Sequence, residues 1–184
     1  MQIVSTRCRT FEYTVTASGP CAVESESAVG ARRYFHDCLR VTVGVDHGDL
    51  PLAGAAVQLV RRIVDQTHAW AVVVDGLAHL SSGDLARAPE KVDVLSALAD
   101  TVDVLAEFAE RLEERGERVH LMPFGWRKDC RTEVVTGPGA RQVIQLSADG
   151  DIRVHPGFRE MRPSAGWRRR VRCMTGPRPC GFPT

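Results

Sequence analysis

The chain has 184 residues, of which 43% are hydrophobic and 26% are charged, and its formal net charge is +1. This length fits one compact core with a short extension, and the hydrophobic fraction excludes a wholly disordered chain. No apolar run approaches the roughly 20 residues of a membrane helix, and the N-terminus has no cationic lead before an apolar stretch, so we expect no membrane association, no secretory signal and a cytoplasmic location.

The first half of the chain predicts two strands, a helix and a third strand. Residues 1–17 alternate well enough for a strand or hairpin, and a turn-rich Ser/Gly/Pro stretch follows. Residues 38–45 are typical of a second strand. Apolar residues at helical spacing predict an amphipathic helix over 52–67, and the apolar run WAVVVDG at 70–76 predicts a short buried strand.

The second half predicts one long helix and several strands. Residues 78–91 have the composition of a loop, and residues 92–115 carry an apolar stripe at 3.6-residue spacing that Gly116 ends. Strands are expected at 119–125 and at RTEVV, and RQVIQLS predicts another after a TGPG turn. Strands and helices that alternate in this way indicate an α/β fold.

Charge is distributed unevenly along the chain. Residues 149–184 hold eight arginines against three acidic residues, a net charge of +5, so the first 148 residues carry −4 of the total of +1. We therefore divide the chain into a domain at 1–148 and a basic Arg/Pro/Gly-rich extension at 149–184. A basic arm on an acidic body suits a polyanion such as nucleic acid, although such an arm also serves as a solubilising terminus.

The six cysteines show no metal-binding pattern. None forms a C-x-x-C pair, and Cys173 and Cys180 lack the paired spacing of a zinc knuckle. Disulfides are improbable in a reducing cytosol. We expect free thiols, several of them buried, and no bound metal.

Two residues are candidates for chemistry. The chain has 22 arginines and only two lysines, Lys91 and Lys128. Lys128 lies in PFGWRK, in a predicted Pro/Gly/aromatic turn at the end of a strand, and its compact ammonium has a pKa that can shift, which a guanidinium does not match. His79 lies in AHLSS, directly after a predicted buried strand, where an imidazole can orient a hydroxyl or a water. A chance surface lysine and a structural histidine remain the alternatives for these two positions.

The two motifs together carry a family resemblance. AHLSS and PFGWRK, separated by the long amphipathic helix, resemble the N-terminal editing domain of archaeal-type threonyl-tRNA synthetases, whose fold is that of the D-aminoacyl-tRNA deacylases. The opening strand contributes too, because the Glu12-Tyr13 pair falls at the family's usual place. The resemblance covers about residues 1–147. It implies a layered sheet with two main helices, followed here by the basic extension.

The resemblance also implies roles for residues of this chain. The family hydrolyses the ester of serine mischarged onto threonine tRNA, largely by substrate assistance and without a metal or cofactor. Lys128 would hold the substrate or the attacking water, and His79 would orient the amino acid and the water. The expected substrate-binding residues are Val45, Ala78, Phe124, Gly125, Trp126, Arg127 and Arg141. The basic extension would contact tRNA phosphates through Arg168, Arg169, Arg170 and Arg172.

The chain departs from the family pattern at several charged positions. Arg7 and Arg9 stand where archaeal sequences usually have His and Asp, and Arg127 replaces an aromatic residue before the motif lysine. By ungapped counting, a family glutamate falls at Arg141, while Pro138 falls on a family proline. A base in place of an acid near the substrate's amino group should alter which amino acid is accepted.

Three functions stay open at this point. The first is a free-standing trans-editing deacylase that acts on seryl-tRNA(Thr), since the sequence shows no synthetase core and no anticodon-binding domain. The second is a non-catalytic or biosynthetic aminoacyl-tRNA-binding protein, and the third is a deacylase for a D- or unusual amino acid. The implied partners are the aminoacylated 3′ end of tRNA, a second copy in a homodimer, and a threonyl-tRNA synthetase that lacks its own editing domain.

Overall fold

The structure is a computed structural model that describes residues 1–22, 28–78, 94–137, 139–147 and 149–156. These residues form seven strands and two α-helices. The strands are β1 (Gln2–Ser18), β2 (Arg32–Val45), β3 (Ala71–Ala78), β4 (Val119–Leu121), β5 (Trp126–Val134), β6 (Arg141–Leu146) and β7 (Ile152–Pro156). The helices are α1 (Ala53–Thr67), which a 3₁₀ turn at Leu50–Leu52 precedes, and α2 (Val94–Glu114).

All seven strands belong to one mixed sheet with the order β4-β3-β2-β1-β6-β7, and β5 pairs with β1 outside this path. The pairs β2–β3 and β3–β4 are parallel, and the other pairs are antiparallel. The two parallel connections run through α1 and α2, as parallel strands require a crossover. This is the α/β layered sheet with two helices that the sequence predicted.

One edge of the long strand β1 pairs with two strands, β5 and β6, and this pairing determines the layout of the sheet. Gln2–Thr6 pair with β6, whereas Cys8–Ser18 pair with β5. The pairing with β5 shifts register between Cys8 and Thr10 and again between Val15 and Ala17. Such bulges bend a strand and increase its twist, so the second half of β1 turns away from the plane of the first half.

The two helices cover one face of the sheet. α1 turns Ala56, Val60 and Ile63 toward the strands, and α2 contributes Leu105 and Phe108 to the same buried core. Gly116 ends α2 with a φ of 88°, and the Glu117 amide then donates a hydrogen bond to the Leu112 carbonyl over 3.1 Å. This left-handed glycine with a returning hydrogen bond is a common helix terminator.

A second core lies on the opposite face of the sheet. Phe11, Tyr13 and Val15 of β1 pack there with Val73 of β3 and with Met122, just after β4. No backbone ladder joins β1 to β3 or β4 among the described strands. The second half of β1 therefore folds back over β3 and β4, and it carries β5 with it.

Most sequence predictions of elements are confirmed. β1, α1, β3, α2 and β6 appear close to their predicted bounds, while β2 begins earlier, at Arg32. β5 begins at Trp126, so Lys128 lies inside a strand and not in the predicted turn. β7 lies past residue 148, the predicted end of the domain, and pairs with β6. The predicted 78–91 loop lies outside the described residues from 79 onward, and no described helix has the length and apolar character needed to cross a bilayer.

Gly76 should be essential for packing β3 against α2. A Cβ at Gly76 would lie 2.1 Å from Leu105 Cδ1, whereas a Cβ at Gly54, in α1, meets only the Arg111 guanidinium at 2.9 Å, which can swing away. We expect Gly76→Ala to lower the free energy of unfolding by about 1–3 kcal/mol through overpacking. Urea unfolding followed by circular dichroism measures this. Gly54→Ala is the matched control and should leave stability unchanged or raise it; equal losses in both variants would contradict the expectation.

Candidate active site

Lys128 is held at the point where β5 crosses over β3. It pairs with Val15 of β1 in the ladder, and its side chain is about 10% exposed. The ammonium lies 3.0 Å from Asp75 Oδ1 and donates a second hydrogen bond to the Pro123 carbonyl over 2.8 Å. An ammonium has three N–H donors, so two of those of Lys128 are engaged by the protein.

Asp75 uses both carboxylate oxygens at this point. Oδ1 faces Lys128, and Oδ2 accepts a hydrogen bond from Arg40 Nη2 over 3.2 Å. The Arg40 guanidinium also stacks over the Phe11 ring, with 5.1 Å from Cζ to the ring centroid. One carboxylate therefore bridges two cations from different strands, and the group carries a net charge of +1.

The burial of Asp75 explains why both cations are present. Asp75 is the only charged residue of β3, and its side chain is about 12% exposed. A carboxylate removed from water is costly unless it is paired and hydrogen-bonded. Parallel pairing places Arg40 opposite Val73, two residues before Asp75 on the neighbouring strand, within reach of the carboxylate. The curl of β1 supplies Lys128 from the other side.

Tyr13 and His120 form a polar pair inside the second core. The Tyr13 hydroxyl lies 2.8 Å from His120 Nε2. Burial raises the pKa of the Tyr13 hydroxyl above its ordinary value, and the negative charge of Asp75 adds to that effect. Burial lowers the pKa of His120, with a further contribution from the positive charge of Arg33. Both shifts favour the uncharged forms, so this pair is neutral at pH 7.

Several predicted substrate-binding residues gather at one end of the sheet. Val45 and Ala78 are register partners at the carboxyl ends of the parallel strands β2 and β3. Phe124 packs against the helix-side core. Gly125 has a φ of 77°, its carbonyl accepts a hydrogen bond from the Gly19 amide over 3.1 Å, and a Cβ there would lie 2.1 Å from the carbonyl oxygen of Cys21, in the segment that follows β1. This close contact fixes the turn that precedes Lys128.

Trp126 and Arg127 differ in their surroundings. Trp126 is half-buried against the second core, whereas Arg127 is exposed and pairs with Ala17 at the edge of the sheet. The Arg127 carbonyl accepts a hydrogen bond from the Thr16 hydroxyl over 3.3 Å. Adjacent residues in a strand point to opposite faces. Arg127 therefore points away from the face that holds Lys128.

Arg141 lies on the same face of the sheet as Arg40. Arg141 is the first residue of β6 and pairs with Thr6 of β1. On the other edge of β1, Thr6 pairs with Arg40 of β2. Directly opposed residues of antiparallel strands share a face, so Arg40, Thr6 and Arg141 stand in a row on one face of the sheet. Arg141 is exposed and is the outer cation of this surface.

The two remaining departures from the family pattern lie outside this site. Arg7 forms an ion pair with Asp37 at 2.5 Å and donates a hydrogen bond to the carbonyl of Thr67, the last residue of α1. Arg9 is exposed beside Glu133, with 3.7 Å between the charged groups. Arg7 therefore ties the sheet to the end of a helix, and Arg9 belongs to the surface.

Cys8 and Cys38 face each other across β1 and β2, and both are fully buried. The hydrogen bond with Cys38 lowers the pKa of the Cys8 thiol to about 7, and the same contact raises that of Cys38. None of the four cysteines in the described ranges forms a disulfide. Within those ranges no three metal-ligating side chains come together.

His79 and the four arginines of the extension (168, 169, 170 and 172) lie outside the described residues. Asp75 and Arg40 were not among the residues predicted for the site. A signal for both was present, because each is the one charged residue within an otherwise apolar strand segment, AVVVDG and CLRVTV. A charge at such a position must find a buried partner.

The lowered pKa of His120 makes stability depend on pH. The folded state disfavours the charged imidazole, so the unfolded chain binds more protons once the pH falls below the ordinary value of 6.5. We expect the free energy of unfolding to decrease as the pH is lowered from 7 to 5. Urea unfolding at several pH values measures it, and His120→Gln should show a shallower decrease over that range; an equal or steeper one would contradict the assignment.

One family model matches the chain. The model describes the archaea-specific editing domain of threonyl-tRNA synthetase, and it matches residues 1–142. That range contains Lys128, Asp75, Arg40 and Arg141. No curated protein sequence matches the chain.

Proposed function

Because the chain belongs to the family of archaea-specific editing domains of threonyl-tRNA synthetase, we propose that it hydrolyses the ester of mischarged tRNA, with seryl-tRNA(Thr) as the substrate. The family supports an editing function on threonine tRNA in general. The observation that carries the deacylase proposal is the fixed ammonium of Lys128, which has one N–H donor beyond those given to Asp75 and Pro123.

The reaction needs a placed water and a polarised carbonyl. Water attacks the carbonyl carbon, the bond from that carbon to the ribose oxygen breaks, and the ribose oxygen takes up a proton as the amino acid leaves. The remaining N–H of Lys128 is suited to stabilise the oxyanion that forms, or to hold the water. A ribose hydroxyl of the substrate supplies proton transfer, so no protein nucleophile is required. His79 would orient the amino acid and the water from the end of β3.

We expect selection of serine over threonine to depend on the shape of the sheet end where Val45 and Phe124 join the helix-side core and Lys128 approaches with Asp75 from the opposite face. Val45 and Ala78 end adjacent parallel strands, and Phe124 lies in the turn before Lys128. A single methyl group is discriminated by about 10–200-fold in a pocket of fixed shape. Arg141 gives the outer surface a positive charge, whereas an acid at this position would attract the substrate's amino group. Discrimination between amino acids therefore depends more on the shape of the site.

Replacing Lys128 tests the chemistry directly. We expect Lys128→Ala to slow deacylation of seryl-tRNA(Thr) by about 10²–10³-fold, the usual loss when one oxyanion donor is removed. Release of labelled serine under single-turnover conditions measures the rate, with threonyl-tRNA(Thr) as the comparison substrate. Arg131→Ala, which removes an exposed cation from the same strand, should retain the full rate.

The outcomes separate the candidate functions. Hydrolysis of the seryl ester ahead of the threonyl ester, lost with Lys128, supports editing. An intact ester with retained tRNA binding would overturn the deacylase proposal in favour of a binding protein. Hydrolysis confined to D-serine or another amino acid would keep the chemistry and change the substrate.

We further propose that the basic segment after β7 binds the tRNA backbone. Arginine contacts to phosphate release counterions, so affinity should fall steeply with salt.

The family resemblance implies two protein partners. One is a second copy of this chain, and the other is a threonyl-tRNA synthetase that lacks its own editing domain and delivers the tRNA. Sedimentation velocity at micromolar concentration checks the pairing, and a monomer there would contradict it.

A truncation after Pro156 tests the basic segment while keeping β7 in the sheet. We expect removal of 157–184 to weaken tRNA binding by more than tenfold at 50 mM salt and to flatten the plot of log affinity against log salt, because fewer phosphates are neutralised. Filter binding measures both quantities. Replacing Arg168, Arg169, Arg170 and Arg172 by Gln in the full chain is the matched variant, and an unchanged salt slope in it would refute the proposed contacts.

A further inference from the structure

Two of the three N–H donors of Lys128 have fixed acceptors. Asp75 Oδ1 lies 3.0 Å from the ammonium and the Pro123 carbonyl lies 2.8 Å from it. The donors of an ammonium point to the corners of a tetrahedron, so two fixed hydrogen bonds determine the direction of the third. The four-carbon stem of a lysine is flexible, and without these bonds that direction would be lost.

Asp75 is itself fixed from several sides. Arg40 Nη2 donates to its second oxygen over 3.2 Å, and Arg40 is in turn stacked on Phe11. The backbone is fixed too, because Thr42 is its register partner and the next residue, Gly76, lies against Leu105. The carboxylate therefore has little freedom to rotate or to follow a moving lysine.

We propose that Asp75 is a positioning residue of the deacylase site: it holds the Lys128 ammonium so that the remaining N–H faces the reacting ester, and Arg40 holds Asp75 in turn. This inference rests on the proposed function, because it assigns to Lys128 the polarising role described above. Asp75 does not touch the substrate and acts only through Lys128.

The charges of the group explain why the carboxylate is needed. Arg40 and Lys128 approach the same point from opposite sides, and Asp75 is the only described acid that pairs with either of them. Without its negative charge the two cations repel each other, and the lysine stem allows the ammonium to move out toward solvent. A displacement of about 1 Å at a reacting group can cost 10²-fold in rate.

The first experiment is a double-mutant cycle on the deacylation of seryl-tRNA(Thr). We expect Asp75→Asn to lower kcat by about 10–10²-fold and to change KM by less than about threefold. The double variant Asp75→Asn/Lys128→Ala should be no slower than Lys128→Ala, since Asp75 acts through the lysine. Asp129→Asn is the matched control, because it makes the same change at an exposed aspartate next to Lys128 and should retain kcat.

The second experiment follows the lysine itself and does not depend on activity. The chain has only two lysines, so ¹⁵N-lysine labelling gives a spectrum with two ammonium signals. We expect one slowly exchanging signal, lost in Lys128→Ala and broadened at least tenfold in Asp75→Asn. If Asp75→Asn does not fold, Arg40→Gln tests the same chain of contacts without removing the carboxylate, and it should give faster exchange and a severalfold lower kcat.

The results distinguish the two proposals. A Lys128 signal that is unchanged in Asp75→Asn overturns the positioning role whatever the activity. Additive losses in the cycle, or an unchanged kcat with a broadened signal, overturn it as well. A wild-type protein that leaves every ester intact defeats the proposed function, and the ammonium signals still report whether Asp75 holds the lysine.

Discussion

The buried carboxylate of Asp75 is the constraint on which this site depends. A charge in the interior of an apolar strand requires compensation, and the fold supplies it twice, with Arg40 from the adjacent strand and Lys128 from β5. The second contact exists only because β1 bends back over β3 and carries β5 with it. The bend of β1 therefore determines both the architecture of the sheet and the pairing of charges at the site.

The arginines that the sequence analysis set against the family pattern lie in different surroundings. Arg7 is used within the fold, where it ties β1 to the last residue of α1 and to Asp37. Arg141 remains exposed on the face that also carries Arg40. Arg40 and Arg141 make this face positive, and Asp75, the acid that pairs with Arg40, is already engaged by Lys128. Such a surface favours the phosphate-bearing end of a tRNA over a free amino group.

Much of the fold could be predicted from the sequence because its signals are local. Apolar residues at 3.6-residue spacing predicted both helices, and Gly116 predicted the end of the second helix. Alternation of apolar and polar residues predicted β1. The start of β5 could not be predicted in this way, since PFGWRK has the composition of a turn and becomes a strand only through long-range pairing with β1. β7 was missed for a similar reason, because it follows a basic, Pro- and Gly-rich composition and gains its structure from β6.

The site was predictable only in part. Lys128 was predicted as a site residue from its motif and its rarity, yet its contact with Asp75 of β3 spans a sequence separation that no local pattern reports. Asp75 and Arg40 are each a single charged residue within an apolar segment. Their contact depends on the parallel register of β2 and β3, which forms only in the folded sheet. Arg141 was predicted as a site residue by counting, and the register with Thr6 shows only which face of the sheet it occupies.

The position of β7 determines where the basic segment is attached to the sheet. β7 ends at Pro156, which pairs with Gln142, the neighbour of Arg141. The 28 residues that follow, with seven arginines among them, are thus tethered beside the cationic face. Under the tRNA-binding role proposed for this segment, capture of a tRNA at one of the two regions would raise its effective concentration at the other, so two weak attachments would multiply. Cleavage of the chain after Pro156 would then be expected to remove this gain in affinity while Lys128, Asp75 and Arg40 keep their contacts.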